Sequence, residues 1–106
     1  MAAVNNGGVV FDLDNMNIST LMSLPQFPET IEQLSLFGNE IENPNDIAKK
    51  LVPLPNLRAL WLNNNPVVDT CSNFSMIGST MPALEILNSQ LTNKAGEWAM
   101  HFYAKE

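Results

Sequence analysis

Ile31-Glu32-Gln33-Leu34-Ser35-Leu36-Phe37-Gly38-Asn39-Glu40-Ile41 is followed, one turn of the pattern later, by Leu57-Arg58-Ala59-Leu60-Trp61-Leu62-Asn63-Asn64-Asn65-Pro66-Val67. Both blocks carry apolar residues at positions 1, 4, 6 and 11 and an Asn at position 9. The alternation x-Leu-x-Leu-x has period two, so each block predicts a short strand with its leucines on one face. The Asn then turns the chain away from that strand. Its amide both donates and accepts, pairing backbone groups that the turn would otherwise bury alone, at roughly 1–3 kcal/mol per orphaned group. Asn39 and Asn65 are therefore expected to stack from coil to coil as a structural ladder.

Two degenerate copies flank this pair. Upstream, Phe11, Leu13 and Ile18 fit positions 4, 6 and 11, with Met16 in the Asn position; downstream, Leu84 and Leu87 fit positions 1 and 4 before the pattern fails at Ser89 and Thr92. Aligning position 4 gives Phe11, Leu34, Leu60 and Leu87, at spacings of 23, 26 and 27 residues. The pattern L-x-x-L-x-L-x-x-N-x-L with a period of about 20–29 residues resembles the leucine-rich-repeat family. That resemblance implies an α/β fold: a right-handed solenoid, or horseshoe fragment, with short parallel strands on the concave face and short helices and irregular turns on the convex face. About four coils are expected in a single domain over 1–106, with strands near 9–13, 33–37, 59–63 and 85–88.

The 106 residues and 45% hydrophobic content allow one domain with a continuous core, provided the repeats stack. The net charge of −6 opposes a nucleic-acid backbone or an anionic membrane as partner. The single Cys71 forbids the disulfide-bonded ends common in extracellular members of the family. No apolar run is long enough for a membrane helix and the N-terminus is not signal-like, so a cytoplasmic, intracellular location is expected. The sequons at Asn17 and Asn73 are discounted on the same ground.

The returning segments supply the convex side. Ile47, Leu51, Leu54 and Leu57 form one helical stripe with Asp46 as N-cap and Lys49 and Lys50 late in the helix, before Pro53 and Pro55 stop it. Asn73 to Met81 predicts a second helix with Phe74, Ile77 and Met81 inward. Leu21, Leu24 and Phe27 point inward from a tighter first return. At the C-terminus, Thr92 caps a predicted helix over about 93–105. Its apolar residues Ala95, Trp98, Ala99, Phe102 and Tyr103 share one face, and Trp98 and Phe102 are expected to cover the open end of the core. The lead Met1 to Gly8 offers no obvious cap, so either it folds over the edge strand at Val9–Phe11 or a preceding segment does.

The resemblance also implies which side chains face a partner: those between the leucines of each strand. Position 3 holds Val10, Gln33, Ala59 and Ile86; position 5 holds Asp12, Ser35, Trp61 and Asn88; position 7 holds Asp14, Phe37, Asn63 and Gln90. From these, Asp12, Asp14, Gln33, Ser35, Phe37, Trp61, Asn63 and Asn88 are the candidate partner-binding residues. Phe37 and Trp61 stand out, being large aromatics on adjacent strands at positions outside the core, with acidic neighbours as a polar rim.

No catalytic constellation accompanies them. His101 has no Ser, Cys or carboxylate at triad or metal spacing; Cys71 lies in a polar stretch; and Glu40, Glu42 and Asp46 match no calcium loop. The expectation is a non-catalytic module with no metal and no cofactor. It would bind a protein partner through its concave face, as a monomer or within a longer chain, without nucleic acid or membrane. The alternative is a targeting or regulatory domain of a larger enzyme whose active site lies outside this chain. The segment Lys94-Ala95-Gly96-Glu97-Trp98-Ala99 resembles one such class, the tubulin-ligase-like proteins.

Overall fold

The computed structural model of the protein describes residues 2–5, 8–70, 80–97 and 99–100. Among them six strands form one sheet in chain order: β1 (Ala2–Asn5), β2 (Gly8–Asp12), β3 (Ile31–Ser35), β4 (Ala59–Trp61), β5 (Ile86–Leu87) and β6 (Gln90–Leu91). The strands β2 to β5 run parallel, and the outermost pair at each edge is antiparallel. Behind the sheet lie a 3-10 helix at Leu21–Ser23 and two short helices, α1 (Pro44–Lys50) and α2 (Pro66–Thr70).

Both central strands end earlier than predicted, one spanning 31–35 rather than 33–37 and the other 59–61 rather than 59–63. The inter-coil ladder nevertheless continues past their ends, through Leu36 N to Trp61 O (2.8 Å) and Gly38 N to Asn63 O (3.0 Å). Strand geometry stops where position 8 takes a left-handed backbone. Asn15, Gly38 and Asn64 occupy that position in three successive coils, with φ of 57°, 72° and 61°. Glycine and asparagine are the residues that adopt this conformation at least cost.

The period-two leucines then meet the returning segments in one core. Ile31, Leu34, Leu36, Leu57, Leu60, Leu62 and Leu84 are fully buried from the strand side. Leu21, Ile47, Leu51 and Met81 are fully buried from the return side. Burying each such side chain is worth about 1.5–3 kcal/mol, so the stacked repeat is the main source of stability. The first coil is less covered. Phe11, Leu13 and Leu24 are only partly buried, and with Pro25, Gln26 and Phe27 they line an apolar notch of about 200 Å³.

Several expectations are corrected here. Asn43, not Asp46, caps α1: its side chain accepts from Asn45 N at 2.9 Å, and Pro44 takes the first turn, where its missing N–H costs nothing. Asp46 is instead a buried carboxylate within α1, accepting from Thr20 Oγ1 (2.7 Å) and Leu21 N (3.2 Å). It fastens one return to the next. Leu54 and Leu57 are buried as foreseen but lie beyond the helix, which ends at Lys50. The third return carries a helix at Pro66–Thr70 that the sequence reading did not place. Of the helix expected at 73–81, residues 73–79 and with them Phe74 and Ile77 lie outside the described residues, as does Cys71.

Both edges of the sheet close on themselves. At the N-terminal edge the lead pairs back on β2, with Ala2 opposite Phe11 and Val4 opposite Val9. At the other edge Asn88 and Ser89 both have positive φ, 52° and 67°, and form a two-residue turn between Leu87 and Gln90. Two left-handed residues in succession make the tight hairpin that suits strand twist. The repeat fails at Ser89 because the chain reverses there.

Candidate interaction face

The side of the sheet turned away from the leucine core is built from the alternate residues. Strand register brings Val10, Gln33, Ala59 and Ile86 into one row and Asp12, Ser35 and Trp61 into the next. Neighbouring strands lie about 4.8 Å apart, so each row forms a continuous surface. Asp14, Ser35, Phe37 and Trp61 line a shallow depression of about 330 Å³ on this face. Phe37 is 38% exposed, an unusual state for a phenylalanine in a small domain. Gln33, Ser35, Trp61 and Asn63 are half-buried, and Asp12 is exposed.

Hydrogen bonds set the shape of the depression. Asp14 Oδ1 accepts from both Ser35 Oγ and Phe37 N, tying the first coil to the second. Asp12 Oδ1 accepts from Asp14 N at 3.1 Å. Trp61 Nε1 donates to Ser89 Oγ at 3.1 Å, which holds the indole against the hairpin turn. Asn63 Oδ1 is buried and accepts no hydrogen bond among the described residues.

Asn88 has a different task from the one expected. It is half-buried, and its Oδ1 accepts from Leu62 N at 2.7 Å, completing the ladder of the coil before it. Ala59 and Ile86 also depart from expectation, being fully buried although they lie on the outer face. Ala99 is buried against them, with Ala95 and Trp61 packed alongside. The C-terminal segment therefore lies across part of this face. Glu85 holds it there: its Oε1 accepts from Gly96 N at 2.9 Å while its Oε2 sits 3.3 Å from Arg58 Nε. Thr92 Oγ1 donates to Leu84 O and accepts from Lys94 N, but the described helical residues begin at Glu97. The expected cover of the core by Trp98 and Phe102, together with Tyr103 and His101, lies outside the described residues.

Asn39 and Asn65 are buried in equivalent surroundings. Asn39 Nδ2 donates to Leu13 O (3.0 Å) and Leu36 O (2.9 Å), while its Oδ1 accepts from Met16 N and Ile18 N. Asn65 Nδ2 donates to Leu36 O (2.8 Å) and Leu62 O (3.1 Å), and its Oδ1 accepts from Ile41 N. Each amide thus bridges its own coil and the preceding one.

Among the described residues no group of three or more His, Cys, Asp or Glu side chains is placed to hold a metal ion. No helix among them is long and apolar enough to cross a membrane.

No family model matches the chain. An alignment that covers 71% of the chain is 35% identical to a probable disease resistance protein of Arabidopsis thaliana, and the chain spans about 10% of that relative's length. Two solved structures share the fold. One is the Chaetomium Mex67:Mtr2 subunits, with a TM-score of 0.65 and 24% identity over 92% of this chain and 62% of that one. The other is the Drosophila melanogaster SNF/U2A′ complex, with a TM-score of 0.62 and 16% identity over 92% of this chain and 74% of that one. Fold and repeat together support the leucine-rich-repeat family.

Proposed function

We propose that the chain is a non-catalytic protein-interaction module, a right-handed leucine-rich-repeat solenoid that takes its partner on the concave face. The observation that carries this reading is the depression at Phe37 and Trp61, rimmed by Asp14 and Ser35. An aromatic pair at positions whose neighbours face the core, with polar side chains around it, has the anatomy of a binding hot spot. Asp12, Gln33 and Asn63 extend the surface along the same strands. The two structural neighbours are described as an assembly of Mex67 with Mtr2 and of SNF with U2A′, which supports protein partnering by this fold. Asn88 stands at the border of the site, since its amide oxygen is engaged by Leu62 N.

Capture from a cell extract followed by mass spectrometry tests the reading, comparing wild type with the Phe37→Ala/Trp61→Ala double variant. The variant must first show a cooperative unfolding transition, because Trp61 also packs against Ala59, Ile86 and Ala99. A protein retained by wild type and lost by the folded variant supports the concave face as the working surface. Identical profiles contradict it.

A further inference from the structure

The depression combines two aromatic side chains with a carboxylate. Asp14 receives its two hydrogen bonds from Ser35 Oγ and Phe37 N, both through Oδ1 and both from neutral donors. Neither donor cancels the charge, and no cationic side chain of the described residues pairs with Asp14. An apolar anchor seated against Phe37 and Trp61 would strip water from that carboxylate without replacing it, which is costly for an ionised group. A guanidinium removes the conflict. It stacks on aromatic faces, carries its charge at all physiological pH values and forks onto a carboxylate. The net charge of −6 adds attraction at longer range.

We propose that the depression lined by Asp14, Ser35, Phe37 and Trp61 receives an arginine side chain presented by a segment of the partner protein. The proposal rests on the reading of this face as the binding surface, and deepens it by naming the group that is recognised.

The test uses two blocked pentapeptides that differ in one residue, a central arginine or its neutral isostere citrulline, titrated into the full chain. The readout is the NMR signal of the Trp61 indole N–H, assigned by its loss in Trp61→Phe. The arginine peptide is expected to shift that signal saturably and to bind at least about fivefold more tightly than the citrulline peptide. Asp14→Asn should reduce arginine binding to the citrulline level. An Asn side chain keeps an acceptor oxygen for Ser35 and Phe37, so this variant removes charge while leaving the depression in shape. Equal binding of the two peptides would overturn the arginine assignment while leaving the face as a binding surface. The absence of any shift with the arginine peptide would overturn it too, and the capture experiment then decides the face independently.

Discussion

In the two central coils one Asn, Asn39 or Asn65, holds the turn together, and the residue before it sets the direction of the turn. Asn65 is 1% exposed and its amide serves backbone groups of two coils at once. Asn65→Ala should lower stability by roughly 1–3 kcal/mol, the cost of leaving such groups unpaired; an unchanged urea midpoint would remove the ladder from the account. The position before it is more permissive in one coil than in another. Gly38 has a φ of 72°, and a Cβ there would run into the side chain of Asn15. Gly38→Ala is expected to cost about 1–3 kcal/mol, whereas Asn64→Gly, at the exposed equivalent site, should stay within about 0.5 kcal/mol. Equal effects of the two would show that position 8 does not set the turn. The Asn at position 9 was legible because its spacing to the leucines repeats. The left-handed position 8 was equally written in Asn15, Gly38 and Asn64, but its signal is residue type rather than hydropathy.

The elements behind the sheet are short, and their ends are fixed by polar side chains that hydropathy does not see. The apolar stripe Ile47, Leu51, Leu54 and Leu57 pointed to a helix, but α1 ends at Lys50 and its cap is Asn43 rather than the expected Asp46. Pro44 decides between them, since it fits only the first turn. Asp46 is thereby freed to accept from Thr20 and Leu21 in the preceding return. Asp46→Ala should cost about 1.5–3 kcal/mol, as for hydrogen bonds to a charged group. A loss below about 0.5 kcal/mol, the scale of an ordinary surface change, would mean this link carries no weight. Neither sheet edge was readable from periodicity. β1 is four residues long and β6 two, too short for a pattern to emerge. The hairpin at Asn88-Ser89 appeared in the sequence only as the place where the repeat broke down.

At the scale of the molecule, the core side and the outer side of the sheet obey different rules. The core follows from the leucine positions and was legible throughout. The outer face was legible as three columns of residues, but not its partial cover. Ile86 and Ala59 are apolar residues on an outward row, and the chain resolves this by laying Ala95 and Ala99 over them. Ending the chain at Thr92 should therefore lower the thermal midpoint and increase binding of a hydrophobic dye; a truncated chain as stable and as dye-free as the original would show that the segment is dispensable. Beside this cover lies the depression lined by Asp14, Ser35, Phe37 and Trp61, with Phe37 exposed. On the proposed function this depression, and not the back of the coil, meets the partner. The decisive comparison is the affinity of the captured partner for two single variants, Phe37→Ala on the outer face and Met22→Ala on the returning side, where Met22 is 52% exposed. Phe37→Ala is expected to weaken binding at least about thirtyfold, the equivalent of the roughly 2 kcal/mol that marks a hot spot, while Met22→Ala should leave it unchanged. Loss of binding with Met22→Ala and none with Phe37→Ala would contradict it.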